Sequence, residues 1–440
     1  MKKQKTFFQL FIPIFIELVF SVLIGFVDTF MLSAIGDKQV GAVGTANSFI
    51  SIFVISFNII SSGMMAVMTQ YIGAKKEHIA QKALSIGLSI NLVLGIIISC
   101  LFIFFTPQIL TMMKIAPGLK EDAIIYTRLI GGTSLIMAIT PLLTTYLRAF
   151  GCTTSPLVVT LVANIINIVF NAIFIYACSM GVFGVALATI ISRVVMFICL
   201  LILVNTLIKK DERKLELSSF SIFKQIIRIG LPAALETIMY NISMSIVMTF
   251  VNMMDPDGLN ATIKSYCGQI TNFCYIASLA MAVSNSIIVG WKIGEGKYDE
   301  CFKITKKHCI IAILCGSVSA LIVTILGRPL MSVFTKDVNI LRIVPIIFAI
   351  DIVLEIGRAT NLLIGQALKT AGDAVFTVVI SIIFTLICAV GGTYLFGNLL
   401  DLLIIGTWIG LALDEFARGV LMMMRWNSKK WIDKIIVKNY

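Results

Sequence analysis

Charged side chains are scarce in this chain. Asp, Glu, Lys and Arg account for 13% of its 440 residues, whereas hydrophobic residues account for 58% and the mean hydropathy is +0.99. Soluble domains carry about twice that share of charge, and long uncharged segments are typical of membrane-spanning helices. The composition therefore excludes a soluble globular domain and predicts an all-α polytopic membrane protein.

Histidine and paired cysteine are scarce as well. The two histidines, His78 and His308, fall in predicted loops, and none of the ten cysteines belongs to a Cys-x-x-Cys pair. The chain also has no glycine-rich nucleotide-binding loop. These absences argue against a metal centre, a disulfide framework, ATP as energy source and an enzyme with a nucleophile–base pair. We therefore expect no cofactor and no enzymatic activity, and a membrane-embedded acyl- or phosphotransferase is the least supported alternative.

Long apolar runs divide the chain into about twelve spans of roughly twenty residues each. They lie near residues 11–34, 43–69, 84–106, 124–147, 156–177, 182–207, 229–252, 264–289, 309–327, 343–366, 374–396 and 402–424. Lysine and arginine are concentrated in alternate loops and in the C-terminal tail. This bias predicts a multi-pass protein of a bacterial-type inner membrane with both termini cytoplasmic. The net charge of +12 is assigned to those loops, not to nucleic-acid binding.

An internal repeat is visible in the loops. Gly73 and Gly294 lie in similar segments at an offset of 221 in the numbering (294 − 73), and Gly151 and Gly372 share that offset (372 − 151). The shared offset predicts two six-helix lobes of the same orientation, an architecture of transporters with a cavity between the halves. The predicted domains are an N-lobe (1–208), a linker with an interfacial helix (209–228), a C-lobe (229–425) and an amphipathic tail (426–440).

One carboxylate stands out in the first span. Asp28 lies where about twenty residues otherwise read as membrane-spanning, and a charge there costs a few kcal/mol at least. Such a residue suggests an ion or proton site, although a helix-packing Asp is the alternative. The fifth span carries Asn164, Asn167 and Asn171 at helical spacing. This stripe is expected either to bond Asp28 or simply to join helices.

The second half contains more charge within its spans. Asp351, Glu355 and Arg358 share one helical face in span ten, because they are spaced i, i+4 and i+7. Span twelve adds Asp414, Glu415 and Arg418, and span seven adds Glu236, one turn before Tyr240. Asp414 and Arg418 are expected to form a structural ion pair. Five acids against two arginines nevertheless predict an acidic interior that would bind protons or cations. The role of Glu17 in span one stays open.

Several motifs in this order resemble one transporter family over nearly the whole chain. They are Val27-Asp28-Thr29, Gln70-Tyr71-Ile72-Gly73-Ala74, Leu147-Arg148-Ala149, Gly230-Leu231-Pro232 and Gly294-Glu295-Gly296-Lys297. The chain resembles the MATE (multidrug and toxic compound extrusion) family of the MOP flippase superfamily. The resemblance implies a V-shaped pair of six-helix lobes that exports organic cations in exchange for H⁺ or Na⁺.

The resemblance also implies roles for individual acids. Asp28 matches the coupling carboxylate of the N-lobe, and Asp351 matches that of the C-lobe. Glu236 follows its proline sooner than the corresponding Glu of relatives, by about one helical turn. Asn171 stands where relatives often have Asp, which leaves Asp28 without a second N-lobe carboxylate.

These observations together predict a secondary-active multidrug antiporter. The expected ion-coupling residues are Asp28, Glu236, Asp351 and Glu355, with Glu236 and Asp351 as ligands if the ion is Na⁺. The expected substrate-cavity residues are Asn164, Asn167, Asn171, Tyr240, Asp414 and Glu415. Small organic cations and the lipid bilayer are the expected partners, and a monomer is the expected state. The alternative is a flippase for a lipid-linked oligosaccharide or peptidoglycan precursor, which would need basic groups in its cavity.

Overall fold

The structure is a computed structural model that describes residues 5–112, 117–208, 218–254, 258–332 and 335–437. Within those ranges the chain is helical and contains no strand. The α-helices are α1 (Phe7–Ser33), α2 (Asp37–Gly73), α3 (Glu77–Met112), α4 (Pro117–Gly132), α5 (Ser134–Ala149), α6 (Thr154–Ala172), α7 (Gly181–Leu207), α8 (Ser219–Asn252), α9 (Leu259–Gly294), α10 (Tyr298–Ile325), α11 (Gly327–Ser332), α12 (Val338–Thr370), α13 (Ala374–Phe384) and α14 (Leu403–Asn427). The predicted all-α membrane fold is confirmed.

Helices lie at all twelve predicted spans. In the described ranges nine helical segments are long and apolar enough to cross a membrane, and α4 with α5 forms a tenth, bent by 46°. The bend falls at Thr133, between the two helices. The remaining two predicted spans are α12 and α14, which carry most of the charged residues predicted within the spans of the second half. The protein is therefore an integral membrane protein.

The repeat is visible in the backbone at helix ends. Lys75 and Gly296, whose numbers differ by 221 (296 − 75), both have a positive φ, as do Gly151 and Gly372. Directly after each, a backbone N–H bonds the carbonyl five residues earlier, at 2.8 to 3.0 Å. This is the bond that closes a helix with a left-handed residue at its end. The repeated glycine segments are thus paired helix caps.

π-Helical segments occur at corresponding positions of the two halves of the chain. Ile173–Ala177 is π-helical after α6, and Thr385–Gly391 and Thr393–Leu399 are π-helical after α13. Adding 221 to the first segment gives 394–398, inside the last one. Such segments widen the helix, and they are often found at functional sites.

The chain forms two compact units. The first comprises Met1–Ile72 and Lys76–Gly230, and the second comprises Gly73–Lys75 and Leu231–Tyr440. The boundary lies within α8, because Ser219–Asn252 is one continuous helix that includes Pro232. The separate interfacial helix predicted near 218–228 is therefore replaced by the first turns of α8. Residues 209–217 of the predicted linker lie outside the described residues.

In the second unit α12 packs against α9, α10 and α14. The contact with α14 is close, because a Cβ atom added at Gly357 would lie 2.4 Å from the backbone nitrogen of Phe416. This approach brings Arg358 next to Glu415. A glycine at position 357 thus positions the charged faces of two spans against each other.

The C-terminal tail differs from the amphipathic helix predicted for it. Residues Lys430–Lys434 form a short 3₁₀-helix. Trp431 is fully buried and stacks on Trp426 with ring centroids 4.4 Å apart. Burial of this indole against the end of α14 holds the tail on the second unit, whereas Lys438 lies outside the described residues.

Candidate ion and substrate sites

In the first unit, α1 packs against α6 and places Asp28 beside the asparagine stripe. Asn171 Nδ2 donates to Asp28 Oδ1 at 2.9 Å and lies 3.2 Å from Asn167 Oδ1. Asn167 Nδ2 in turn lies 3.5 Å from the Thr189 hydroxyl. Asn171 therefore bonds Asp28, and Asn171 and Asn167 together link α1, α6 and α7, so the stripe does both things expected of it.

The third asparagine is not part of this chain of hydrogen bonds. The buried Nδ2 of Asn164 has no hydrogen-bond partner within the described ranges. On α7, Arg193 lies one turn after Thr189 and therefore on the same face. Its Nη1 is 3.2 Å from Met137 Sδ, which is a weak acceptor. No described Lys or Arg lies within ion-pair distance of Asp28.

Glu17 forms a separate buried ion pair in the first unit. Its Oε2 lies 2.7 Å from Arg148 Nη2, and its Oε1 lies 3.5 Å from the Thr160 hydroxyl. These contacts join α1, α5 and α6. Glu17, whose role the sequence leaves open, therefore forms an ion pair that links three helices.

The second unit contains a cavity of about 650 Å³. Its walls come from α8, α9, α12, α13 with the following π-helical segment, and α14. Four carboxylates and four cations line it: Glu236, Asp351, Asp414, Glu415, Lys264, Arg358, Lys369 and Arg418. The predicted excess of acid is therefore wrong for this cavity. Both lysines were missed because they lie at or just beyond the ends of predicted spans, whereas α9 and α12 extend past those ends.

Most of these charges are paired across α12 and α14. Arg418 Nη2 lies 2.6 Å from Asp414 Oδ2 and 3.1 Å from Glu415 Oε1. Arg358 Nε lies 3.6 Å from Glu415 Oε1, and its Nη1 bonds Glu355. The predicted pair of Asp414 and Arg418 is present, within a larger network that also holds Glu355 and Glu415. Glu355 does not line the cavity.

Glu236 is paired as well. Lys369 Nζ lies 2.6 Å from its Oε2, and the Ser381 hydroxyl donates to its Oε1 at 2.9 Å. The first unit contains the same arrangement, since Arg148 and Thr160 precede Lys369 and Ser381 by the repeat offset of 221 (369 − 148; 381 − 160). The numbers of Glu17 and Glu236 differ by 219 (236 − 17), and each glutamate follows a proline by four positions. Glu236 is therefore the repeat counterpart of Glu17, a relation that the Pro-x-x-x-Glu spacing could have shown.

Asp351 is the acid of this cavity that has no ion-pair partner among the described residues. Trp408 Nε1 donates to its Oδ1 at 3.2 Å, and its buried Oδ2 has no hydrogen-bond partner in the described part of the chain. Tyr240 lines the same cavity. Among the described residues no three His, Cys, Asp or Glu side chains are grouped to hold a metal ion. With Lys369 bound to Glu236, the geometry gives no support to a joint Na⁺ site at Glu236 and Asp351.

A family model described as MatE matches the chain twice, over residues 13–173 and 232–395. Together the two matches cover well over half of the chain, and they begin at the two prolines that precede Glu17 and Glu236. The chain belongs to the MatE family. The predicted family is thus confirmed, and it is a family of transporters, not of enzymes.

Relatives of this MATE-family chain match nearly its full length. It is 32% identical to the "Uncharacterized transporter YisQ" of Bacillus subtilis, with 98% of this chain and 96% of that protein covered. It is 24% identical to the "Probable multidrug resistance protein NorM" of Thermotoga maritima, with 99% and 94% covered. A solved structure of an outward-facing multidrug resistance MATE family transporter of the MOP superfamily superposes with a TM-score of 0.87, 22% identity and 96% of each chain covered.

Proposed function

We propose that this protein is a secondary-active antiporter that exports organic cations in exchange for H⁺ or Na⁺. The observation that carries the proposal is the carboxylate of Asp28 in a membrane-spanning helix, bonded to the amide of Asn171. Arg193 acts on Asp28 electrostatically but forms no ion pair with it, so an ionised Asp28 leaves its carboxylate open to a cation from outside the protein. Binding and release of that cation is the elementary step of antiport.

The surroundings of Asp28 suit a replaceable ion. The amide N–H of Asn171 stabilises an ionised carboxylate, and its buried Oδ1 accepts no hydrogen bond from any described residue. Carboxylate and amide oxygens bind Na⁺, and the carboxylate alone binds H⁺, so the arrangement serves either ion. We therefore assign coupling first to Asp28.

In the second unit Asp351 is the one acid that we assign to ion coupling. Glu236 and Glu355 have cationic partners within the protein, whereas Asp351 has only the indole of Trp408. The cavity that Asp351 lines has the volume of a small-molecule site. Its aromatic lining residues, Tyr240 among them, suit a partly apolar organic cation.

The test is uptake of a fluorescent organic cation by proteoliposomes under an imposed pH gradient and then under a Na⁺ gradient. We expect one gradient to drive uptake, and Asp28→Asn to reduce it to the level of protein-free liposomes. Asp401→Asn is the matched control, because Asp401 is exposed in a loop at a φ of +53°, where Asn is well tolerated. Uptake by Asp28→Asn equal to that of the unmodified protein would contradict the assignment.

A flippase for a lipid-linked pyrophosphate is the second candidate, because four cations line the cavity of the second unit. Three of them are held by carboxylates, which leaves Lys264 alone for a group with several negative charges. The antiporter therefore comes first. Absence of uptake under both gradients, together with binding of a polyprenyl pyrophosphate to the purified protein, would reverse this order.

A further inference from the structure

The charges that line the cavity of the second unit fall into two classes. Glu236 bonds Lys369, Asp414 bonds Arg418, and Glu415 contacts both Arg358 and Arg418. Six of the eight charged lining residues are thus neutralised within the protein. The other two are Lys264 and Asp351.

Lys264 has no hydrogen-bond or ion-pair partner among the residues that the structure describes. It is partly buried on α9, about one and a half turns after the helix begins. Asp351 on α12 is almost completely buried, and one of its oxygens lacks a partner within the same ranges. The cavity wall therefore presents one cationic and one acidic side chain without an ion-pair partner among the described residues, although Arg358 acts on Asp351 at longer range.

The wall next to Lys264 is open. Gly268 lies one turn further along α9, and a Cβ atom added there would meet no atom within 4 Å. Beyond it the same helix face contributes Thr271, Asn272 and Tyr275 to the lining. The guanidinium of Arg358 lies over the ring of Tyr275, 5.8 Å from its centroid. A ligand can thus occupy the space beside Lys264 and contact hydroxyl, amide and aromatic groups from one helix.

We propose that this cavity binds amphiphilic zwitterions, with Lys264 receiving the carboxylate of the ligand and Asp351 facing its cationic group. A ligand with only a positive charge would neutralise Asp351 and leave Lys264 uncompensated, and a ligand with only a negative charge would do the reverse. A zwitterion satisfies both, so it avoids the cost of a partly buried charge without a partner. This inference rests on the proposed transport function and adds a substrate class to it.

The experiment compares two dyes that differ in one group: rhodamine B, which has a free carboxylate and a cationic ring system, and its ethyl ester, which is only cationic. Binding is measured by fluorescence anisotropy with the purified protein in lipid nanodiscs, and the signal of empty nanodiscs is subtracted. We expect the unmodified protein to bind the zwitterion about tenfold tighter, which matches one charge-assisted hydrogen bond. Lys264→Met should remove that preference, and Lys264→Arg should retain it.

Two further variants control for general effects. Lys303→Met removes an exposed lysine of α10 that does not line the cavity, and it should leave the preference unchanged. Gly268→Leu fills the open space beside Lys264 and should weaken both dyes. The proposal is overturned if the unmodified protein shows no preference, or if Lys264→Met retains it, as expected for a lysine that only extends toward the membrane surface.

This binding assay is independent of ion gradients. If the preference depends on Lys264 but no gradient drives uptake, the proposed antiport fails and the zwitterion site stands. If a gradient drives uptake but Lys264→Met binds both dyes as the unmodified protein does, antiport stands and the zwitterion site fails.

Discussion

The two units of this protein share one ion pair between helices but not their unpaired charges. In each, a glutamate four residues after a proline bonds a cation at the end of a later span and approaches a hydroxyl of the next span. These contacts are Glu17 with Arg148 and Thr160 in the first unit, and Glu236 with Lys369 and Ser381 in the second. Because the arrangement occurs in both units, we assign it a structural role in holding the helices together.

The unpaired groups have no such counterparts. At the offset that aligns Glu17 with Glu236, Asp28 corresponds to Val247 (28 + 219). At the offset of the helix caps, Asp351 corresponds to Ile130 (351 − 221) and Lys264 to Val43 (264 − 221). Charge that appears in one unit only and has no ion-pair partner among the described residues is charge available for a ligand. This difference separates the residues that hold the fold from those that we assign to transport.

Among the substitutions that test this difference between the units, Asp28→Asn should have the largest effect on transport. Asp28→Asn keeps a side chain of the same shape that can still bond Asn171, but it cannot carry a charge. Gradient-driven uptake should therefore fall to background while the unfolding temperature changes little. A variant that retains uptake would place coupling elsewhere, and Asp351→Asn would then be measured in the same liposomes.

Removing the cation from either of the two corresponding ion pairs should have a smaller effect, and that effect should be on stability and not on transport. Arg148→Met leaves Glu17 without its cation, and Lys369→Met does the same to Glu236. Each should lower the free energy of unfolding by about 2 to 3 kcal/mol, somewhat below the range for fully buried pairs because both cations are partly exposed. Thermal unfolding of the purified variants in detergent measures the change.

The double variants make this prediction specific. Glu17→Gln/Arg148→Met and Glu236→Gln/Lys369→Met remove both charges, so most of the lost stability should return. The second of these should also keep ion-driven uptake. If it folds stably but no longer couples uptake to either gradient, then Glu236 is a coupling residue and the comparison between the units fails at that position.

The sequence is sufficient for the spans and the repeat because both depend on local pattern. Hydropathy locates the helices, and the glycine landmarks encode helix caps whose geometry needs a left-handed residue. The sequence also predicts the bond between Asn171 and Asp28 as one of two alternatives. The helical spacing places the three asparagines on one face of their span, where few polar groups of other spans can meet them.

The cavity is beyond the sequence because its chemistry depends on which charges meet. Lys264 and Lys369 lie at span ends, where a lysine normally extends to the membrane surface, so they were not counted with the intramembrane charges. Trp408 and Asp351 are far apart along the chain, and nothing in the local pattern links them. A count of acids and arginines alone therefore predicts a surplus of acid, whereas in the folded protein Lys264 and Lys369 also line the cavity and balance its acids.

The smallest expected effect tests whether the two glutamate sites are equally well built. The Ser381 hydroxyl lies 2.9 Å from Glu236, whereas the Thr160 hydroxyl lies 3.5 Å from Glu17, at the outer limit of a hydrogen bond. Ser381→Ala should therefore lower the free energy of unfolding by about 1 kcal/mol, and Thr160→Val should leave it nearly unchanged. Equal losses in thermal unfolding would mean that both hydroxyls bond their glutamates, so that the two ion-pair sites match in strength as well as in position.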